Sequence, residues 1–103
     1  MDTTDRVYGC LIGGAIGDAL GATVEGWTHD RIAEEYGTVE TFREYYMPYS
    51  NTEPGSITSD TALRQYLSLA IVENGGRVTP REFADVLVEH LNEDRIWING
   101  EMI

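Results

Sequence analysis

Five glycines crowd the 13 residues from Gly9 to Gly21, and four of them recur at every fourth position. Gly9, Gly13, Gly17 and Gly21 therefore lie along one slowly drifting face of a helix. That helix reads from about Asp5 to Thr23, with Thr4 or Asp5 as its cap. Each interior glycine costs roughly 1 kcal/mol of helix propensity relative to alanine. Such a helix does not stand alone, and the spacing predicts that another backbone or a ligand approaches this face closely. Leu11, Ile12, Ala15, Ile16, Ala19 and Leu20 cover the other sides. The expectation is a central helix, buried nearly all round.

The rest of the chain adds helices and one irregular stretch. A short helix is predicted from Asp30 to Tyr36, capped near Thr28 and stopped at Gly37. Thr38 to Gly55 breaks the pattern, with Pro48, Pro54 and a run of tyrosines, and reads as an ordered loop with one extended piece around Val39 to Tyr45. A third helix starts between Thr58 and Asp60 and ends at Asn74-Gly75-Gly76. Its core stripe is Leu63, Tyr66, Leu67, Ala70 and Ile71. The fourth has the clearest start, because Thr79-Pro80-Arg81-Glu82 joins a capping box to a proline in the first helical position. Phe83, Leu87 and Leu91 form its apolar face. The class is all-α, with about four to five helices around one irregular loop region. Residues 1–103 are expected to be a single, incomplete domain, because Ile96, Trp97, Ile98, Met102 and Ile103 form an apolar run with no polar terminus after it.

Charge excludes several functions. Eighteen acidic residues stand against seven basic ones, giving a formal charge of −11. All seven are arginine, a bias that suits either a high-salt cytoplasm or a GC-rich genome. Such a surface repels a phosphate backbone, so neither nucleic acid nor an anionic membrane is an expected partner. Cys10 is the only cysteine, which excludes an intrachain disulfide and a cysteine-based zinc site. Val7 to Val24 is too glycine-rich, and interrupted by Asp18, to serve as a signal or spanning segment. A cytoplasmic location is the default expectation.

Chemistry can reside in only a few places. Thr58, Ser59, Asp60 and Thr61 are consecutive short oxygen-bearing side chains at a helix start. They are either caps for the free N–H groups of the first turn or hard ligands for Mg²⁺. Asp18 sits inside the glycine-rich helix, where a carboxylate must be paired, hydrogen-bonded, metal-bound or protonated. Glu25 follows that helix at a loop mouth, and is either a solvated residue or a general base for water. Tyr45, Tyr46 and Tyr49 either pin the loop to the core or stack on a flat ring such as adenine. His29 and His90 have no third partner at metal or triad spacing. Ser56, Ser59 and Ser68 have no histidine in readable relation, so a serine-hydrolase reading has no support.

Gly9-Cys10-Leu11-Ile12-Gly13-Gly14-Ala15-Ile16-Gly17-Asp18-Ala19-Leu20-Gly21, followed by Glu25, resembles the N-terminal signature of the ADP-ribosylglycohydrolase family. The second block of that family, a glycine followed shortly by Thr-Asp-Asp-Thr opening a helix, is similar to Gly55-Ser56-Ile57-Thr58-Ser59-Asp60-Thr61. The resemblance implies an all-α fold holding two Mg²⁺ or Mn²⁺ ions. It implies metal contacts from Thr58 and Asp60, with Ser59 standing where the family has aspartate. It also implies a role for Glu25 near the scissile bond. Catalytic Glu25, substrate-binding Asp18 and Tyr49, and metal-binding Thr58, Ser59 and Asp60 are the resulting candidates. The implied substrate is ADP-ribose held through an N- or O-glycosidic bond to a protein or small molecule. The remaining metal ligands belong to an Asp-x-Asp-(Ser/Thr) motif absent from these residues, so a missing C-terminal portion is expected. The alternative is a catalytically inactive helical module that binds a ligand or forms a homo-oligomer.

Overall fold

The computed structural model describes residues 1–45 and 53–90. Four helices run in chain order: α1 (Thr3–Ala22), α2 (His29–Glu35), α3 (Ser59–Asn74) and α4 (Pro80–His90). No strand occurs among the described residues, Val39 to Tyr45 included, so the chain is all-α as its periodicity predicts. It divides into two compact units, Met1–Thr58 and Ser59–Ile103. The apolar run from Ile96, together with Leu91, Tyr46 and Tyr49, lies outside the described residues. No described helix is long and apolar enough to cross a membrane.

In the first unit, α1 starts earlier than its sequence suggests. Asp2, and neither Thr4 nor Asp5, is the cap. The Asp5 N–H donates to Asp2 Oδ1 at 2.8 Å, and the Asp2 N–H donates back to Asp5 Oδ2 at 3.3 Å. Two aspartates thus satisfy each other's orphan donors, a capping box built without the usual glutamate. The expected all-round burial of α1 is not found. Only Ala19 and Ala22 are buried, whereas Leu11, Ile12 and Ile16 are 38%, 42% and 46% exposed. A methyl group added at Gly9, Gly13, Gly17 or Gly21 would meet nothing within 4 Å. The described residues bring no second apolar layer over most of this helix, so the close approach its glycines invite is not made by them.

α2 is capped as predicted, the Arg31 N–H donating to Thr28 Oγ1 at 3.2 Å. It is held by stacking. The rings of Trp27 and Tyr36 lie 5.6 Å apart and 13° from parallel. The Arg31 guanidinium sits 3.5 Å from the Trp27 ring centre, and that of Arg43 4.5 Å from the Tyr36 ring centre. Each cation–π contact contributes roughly 0.5–1 kcal/mol at exposed sites.

In the second unit, α3 packs against α4. The buried stripe is Ala62, Tyr66 and Ala70, one residue every fourth position. Leu67 and Ile71, assigned to the core from the sequence, are 37% and 42% exposed. Small alanines stand on either side of Tyr66 in this buried stripe, and the larger residues flank it. The Tyr66 hydroxyl donates to the His90 carbonyl at 3.2 Å, joining the middle of α3 to the last residue of α4. The fourth helix begins where its capping box predicts. The Glu82 N–H donates to Thr79 Oγ1 at 3.2 Å and the Thr79 N–H to Glu82 Oε2 at 2.8 Å, with Pro80 as the first helical residue.

Candidate active site

Asp18 and Thr58 are 40 residues apart in sequence and in direct contact. The Thr58 N–H donates to Asp18 Oδ2 at 2.8 Å, and the Thr58 hydroxyl donates to Asp18 Oδ1 at 2.6 Å. Both oxygens of a half-buried carboxylate are thus engaged by one residue. Hydrogen bonds to a charged group contribute about 1.5–3 kcal/mol each, which is ample reason for a carboxylate inside a glycine-rich helix. Of the fates open to Asp18, hydrogen bonding is the one observed. Thr58 accordingly does more than cap its own helix, because its hydroxyl proton is committed to Asp18. The approach to Thr58 is set by a turn in which the Ser56 N–H donates to the Glu53 carbonyl at 3.0 Å. Gly55 adopts φ 85° there, a left-handed conformation that side chains resist, and the Phe42 ring lies alongside it.

Glu25 occupies the turn that ends α1. The Val24 N–H donates to the Gly21 carbonyl and the Trp27 N–H to the Val24 carbonyl, each at 3.0 Å. Gly26, at φ 77°, reverses the chain immediately after Glu25. Glu25 is exposed. The charges of Glu25 and of Asp18 both act on Tyr45. Burial raises the Tyr45 phenol above its ordinary value of 10.0, and the charges of Asp18 and then Glu25 raise it further. A phenol that senses both carboxylates lies close to both. The first unit therefore gathers Asp18, Glu25, Tyr45 and Thr58 from three separate stretches of chain, with the Trp27–Tyr36 stack directly following Glu25 in sequence.

Ser59 and Asp60 stand in the first turn of α3, immediately after Thr58. Every proposed donor in the Thr58-Ser59-Asp60 run is an oxygen, hydroxyl or carboxylate, and such hard ligands suit Mg²⁺ or Mn²⁺. Acidic charge at a helix N-terminus is also favoured by the helix dipole. Tyr49 lies outside the described residues. Tyr45 was legible in the sequence only as one of three neighbouring tyrosines, and nothing in their spacing singles it out. The stack of Arg31, Trp27, Tyr36 and Arg43 has no signal in the sequence beyond the four-residue spacing of Trp27 and Arg31.

Two motifs that lie far apart in sequence are thus held together by Asp18 and Thr58. The ADP-ribosylglycohydrolase family model matches residues 1–101. The chain belongs to the ADP-ribosylglycohydrolase family. Among relatives, it is 38% identical over 71 residues to the ADP-ribosyl-[dinitrogen reductase] glycohydrolase of Rhodospirillum rubrum, covering 69% of this chain and 24% of that protein. It is 35% identical over 83 residues to an uncharacterized protein of Archaeoglobus fulgidus, covering 81% of this chain and 26% of the relative. The uncharacterized protein YegU of Escherichia coli is 30% identical over 82 residues, covering 75% of this chain and 24% of its own length. The chain spans about a quarter of the length of the curated relatives it matches.

Proposed function

We propose that this ADP-ribosylglycohydrolase-family chain contributes part of a metal-dependent site that hydrolyses the N- or O-glycosidic bond between ADP-ribose and a protein or small molecule. The observation that carries the reading is the double hydrogen bond from Thr58 to Asp18, which ties the glycine-rich motif to the threonine that opens the second motif. Thr58, Ser59 and Asp60 hold the cation, Mg²⁺ or Mn²⁺. A divalent cation there supplies positive charge to orient the ribose hydroxyls and the attacking water. Asp18 fixes the Thr58 side chain by accepting its hydroxyl proton, so that the threonine oxygen presents its lone pairs in one direction. Glu25 accepts a proton from water as the water oxygen bonds to the anomeric carbon. The bond to the acceptor nitrogen or oxygen breaks, and the proton passes to that leaving atom.

Ser59 favours a second reading. A neutral hydroxyl in place of the family's aspartate removes one negative charge from the metal ligands and weakens their attraction for a divalent ion. On that reading the protein binds an ADP-ribosyl ligand without cleaving it.

Calorimetry with Mg²⁺ and ADP-ribose, on a protein that extends this chain to full family length, tests both. ADP-ribose binding that depends on Mg²⁺ and is lost in Asp60→Asn is expected under either reading, and release of ADP-ribose from a modified protein, abolished by Glu25→Gln, is expected only under the first. Absence of any metal-dependent binding sinks the metal site. Ser59→Asp is expected to tighten Mg²⁺ binding, whereas unchanged affinity would make Ser59 a helix cap alone.

A further inference from the structure

The second unit carries a different set of donors, well away in sequence from the residues above. Glu73 is the penultimate residue of α3, and Glu89 and His90 close α4. His90 Nε2 lies 3.1 Å from Glu73 Oε1. One ligand atom from each of Glu73, Glu89 and His90 lies within 4.8 Å of the other two. The Tyr66 hydroxyl grips the His90 carbonyl at 3.2 Å and so holds the end of α4 in place against α3. Two carboxylates therefore converge on one half-buried imidazole, a nitrogen and oxygen donor set of the kind that holds a cation.

We propose that Glu73, Glu89 and His90 form a site for a borderline divalent cation of the zinc class. The imidazole decides the class of ion. An all-oxygen set such as Thr58-Ser59-Asp60 suits Mg²⁺, whereas a nitrogen donor beside carboxylates favours Zn²⁺ and its neighbours in the transition series. Zinc holds nitrogen and oxygen donors at about 2.0–2.2 Å, which puts adjacent donors of a tetrahedron about 3.3 Å apart. The His90–Glu73 pair already stands near that spacing. Glu89 reaches it by rotation of an exposed, unbranched side chain. Three protein ligands leave one position for water or for a group from a partner. With both glutamates exposed, the ion exchanges with solvent.

The test is titration of Zn²⁺ into the intact chain in the presence of excess Mg²⁺, read by calorimetry and by the imidazole resonances of its two histidines. Saturable binding that shifts the His90 resonances and leaves those of His29 in place is expected. Loss of an outer-shell partner alone typically weakens metal binding about 10–100-fold, so His90→Ala and Glu73→Gln are each expected to raise the apparent Kd at least about tenfold. Glu73→Gln keeps the size of an exposed side chain and tests the site even if His90→Ala disturbs the end of α4. His29→Ala, which removes a side chain resting on exposed Asp30, is expected to leave Zn²⁺ binding unchanged. Zn²⁺ affinity that survives both substitutions, a response at His29 alone, or the absence of saturable binding would overturn the proposal.

Discussion

α1 and α3 are the two long helices, and both carry a four-residue repeat: glycines throughout in α1, and two alanines with a tyrosine between them in α3. In α3 the repeat is Ala62, Tyr66 and Ala70, and it is buried, with Tyr66 bonded to His90 of the neighbouring α4. In α1 it is Gly9, Gly13, Gly17 and Gly21, and that face meets nothing among the described residues. The same spacing thus yields a packed seam in one helix and a bare one in the other. A small-residue ladder permits close approach without causing it, and a neighbouring helix must supply the apolar surface. What holds α1 instead is polar: its Asp2–Asp5 capping box at one end and the Asp18–Thr58 contact toward the other.

The largest expected effect tests that polar anchoring. Asp18→Ala removes two charge-assisted hydrogen bonds and is expected to lower stability by about 3 kcal/mol in denaturant titration. An unchanged midpoint would show that α1 is held by something else. Next comes the packed seam. Ala70 is 1% exposed, so Ala70→Leu should cost about 1–3 kcal/mol through overpacking, while Ile16→Gln on exposed α1 should change stability by less than about 0.5 kcal/mol. Equal costs for the two would erase the contrast. A smaller effect of opposite sign is expected for the ladder itself. Gly9→Ala and Gly13→Ala should each stabilise this chain by up to about 1 kcal/mol, since the added methyl finds open space. In a full-length family protein the same substitutions should lose that gain if another helix or a ligand takes the face. The smallest effect is one of pH. Tyr45 titrates above 10.0 in the fold, so the native state holds its proton after the unfolded chain has begun to lose it. That contribution is whole below pH 10 and falls as pH rises through the folded value. Tyr45→Phe should therefore flatten the loss of stability above pH 10, as denaturant titration across that range would read.

Most of the fold was legible because local rules governed it. Thr28, Thr79 with Glu82, and the Asn74-Gly75-Gly76 stop all act within one turn of their helices, and each does what its residue type predicts. The cap of α1 was misplaced because a reciprocal pair of aspartates imitates a capping box usually closed by glutamate. Burial of α1 was misjudged because apolar composition records what a helix can cover, whereas exposure depends on which neighbours are there. In the site, the motifs and their order pointed to Asp18, Glu25, Thr58, Ser59 and Asp60. The Asp18–Thr58 contact joins residues 40 apart, and no local spacing encodes it. Tyr45 stands out only through the two carboxylates near it, a property of the folded chain.

The uncovered side of α1 also bears on how copies of this protein behave together. Leu11, Ile12, Ile16 and Val7 offer water an adhesive surface, yet each copy carries a formal charge of −11. At low ionic strength, long-range repulsion keeps those surfaces from meeting. The reach of that repulsion shrinks from about 30 Å in 0.01 M salt to about 8 Å at physiological ionic strength. Colloidal stability should therefore depend on the counterion atmosphere, and light scattering of this chain is expected to rise as salt is added.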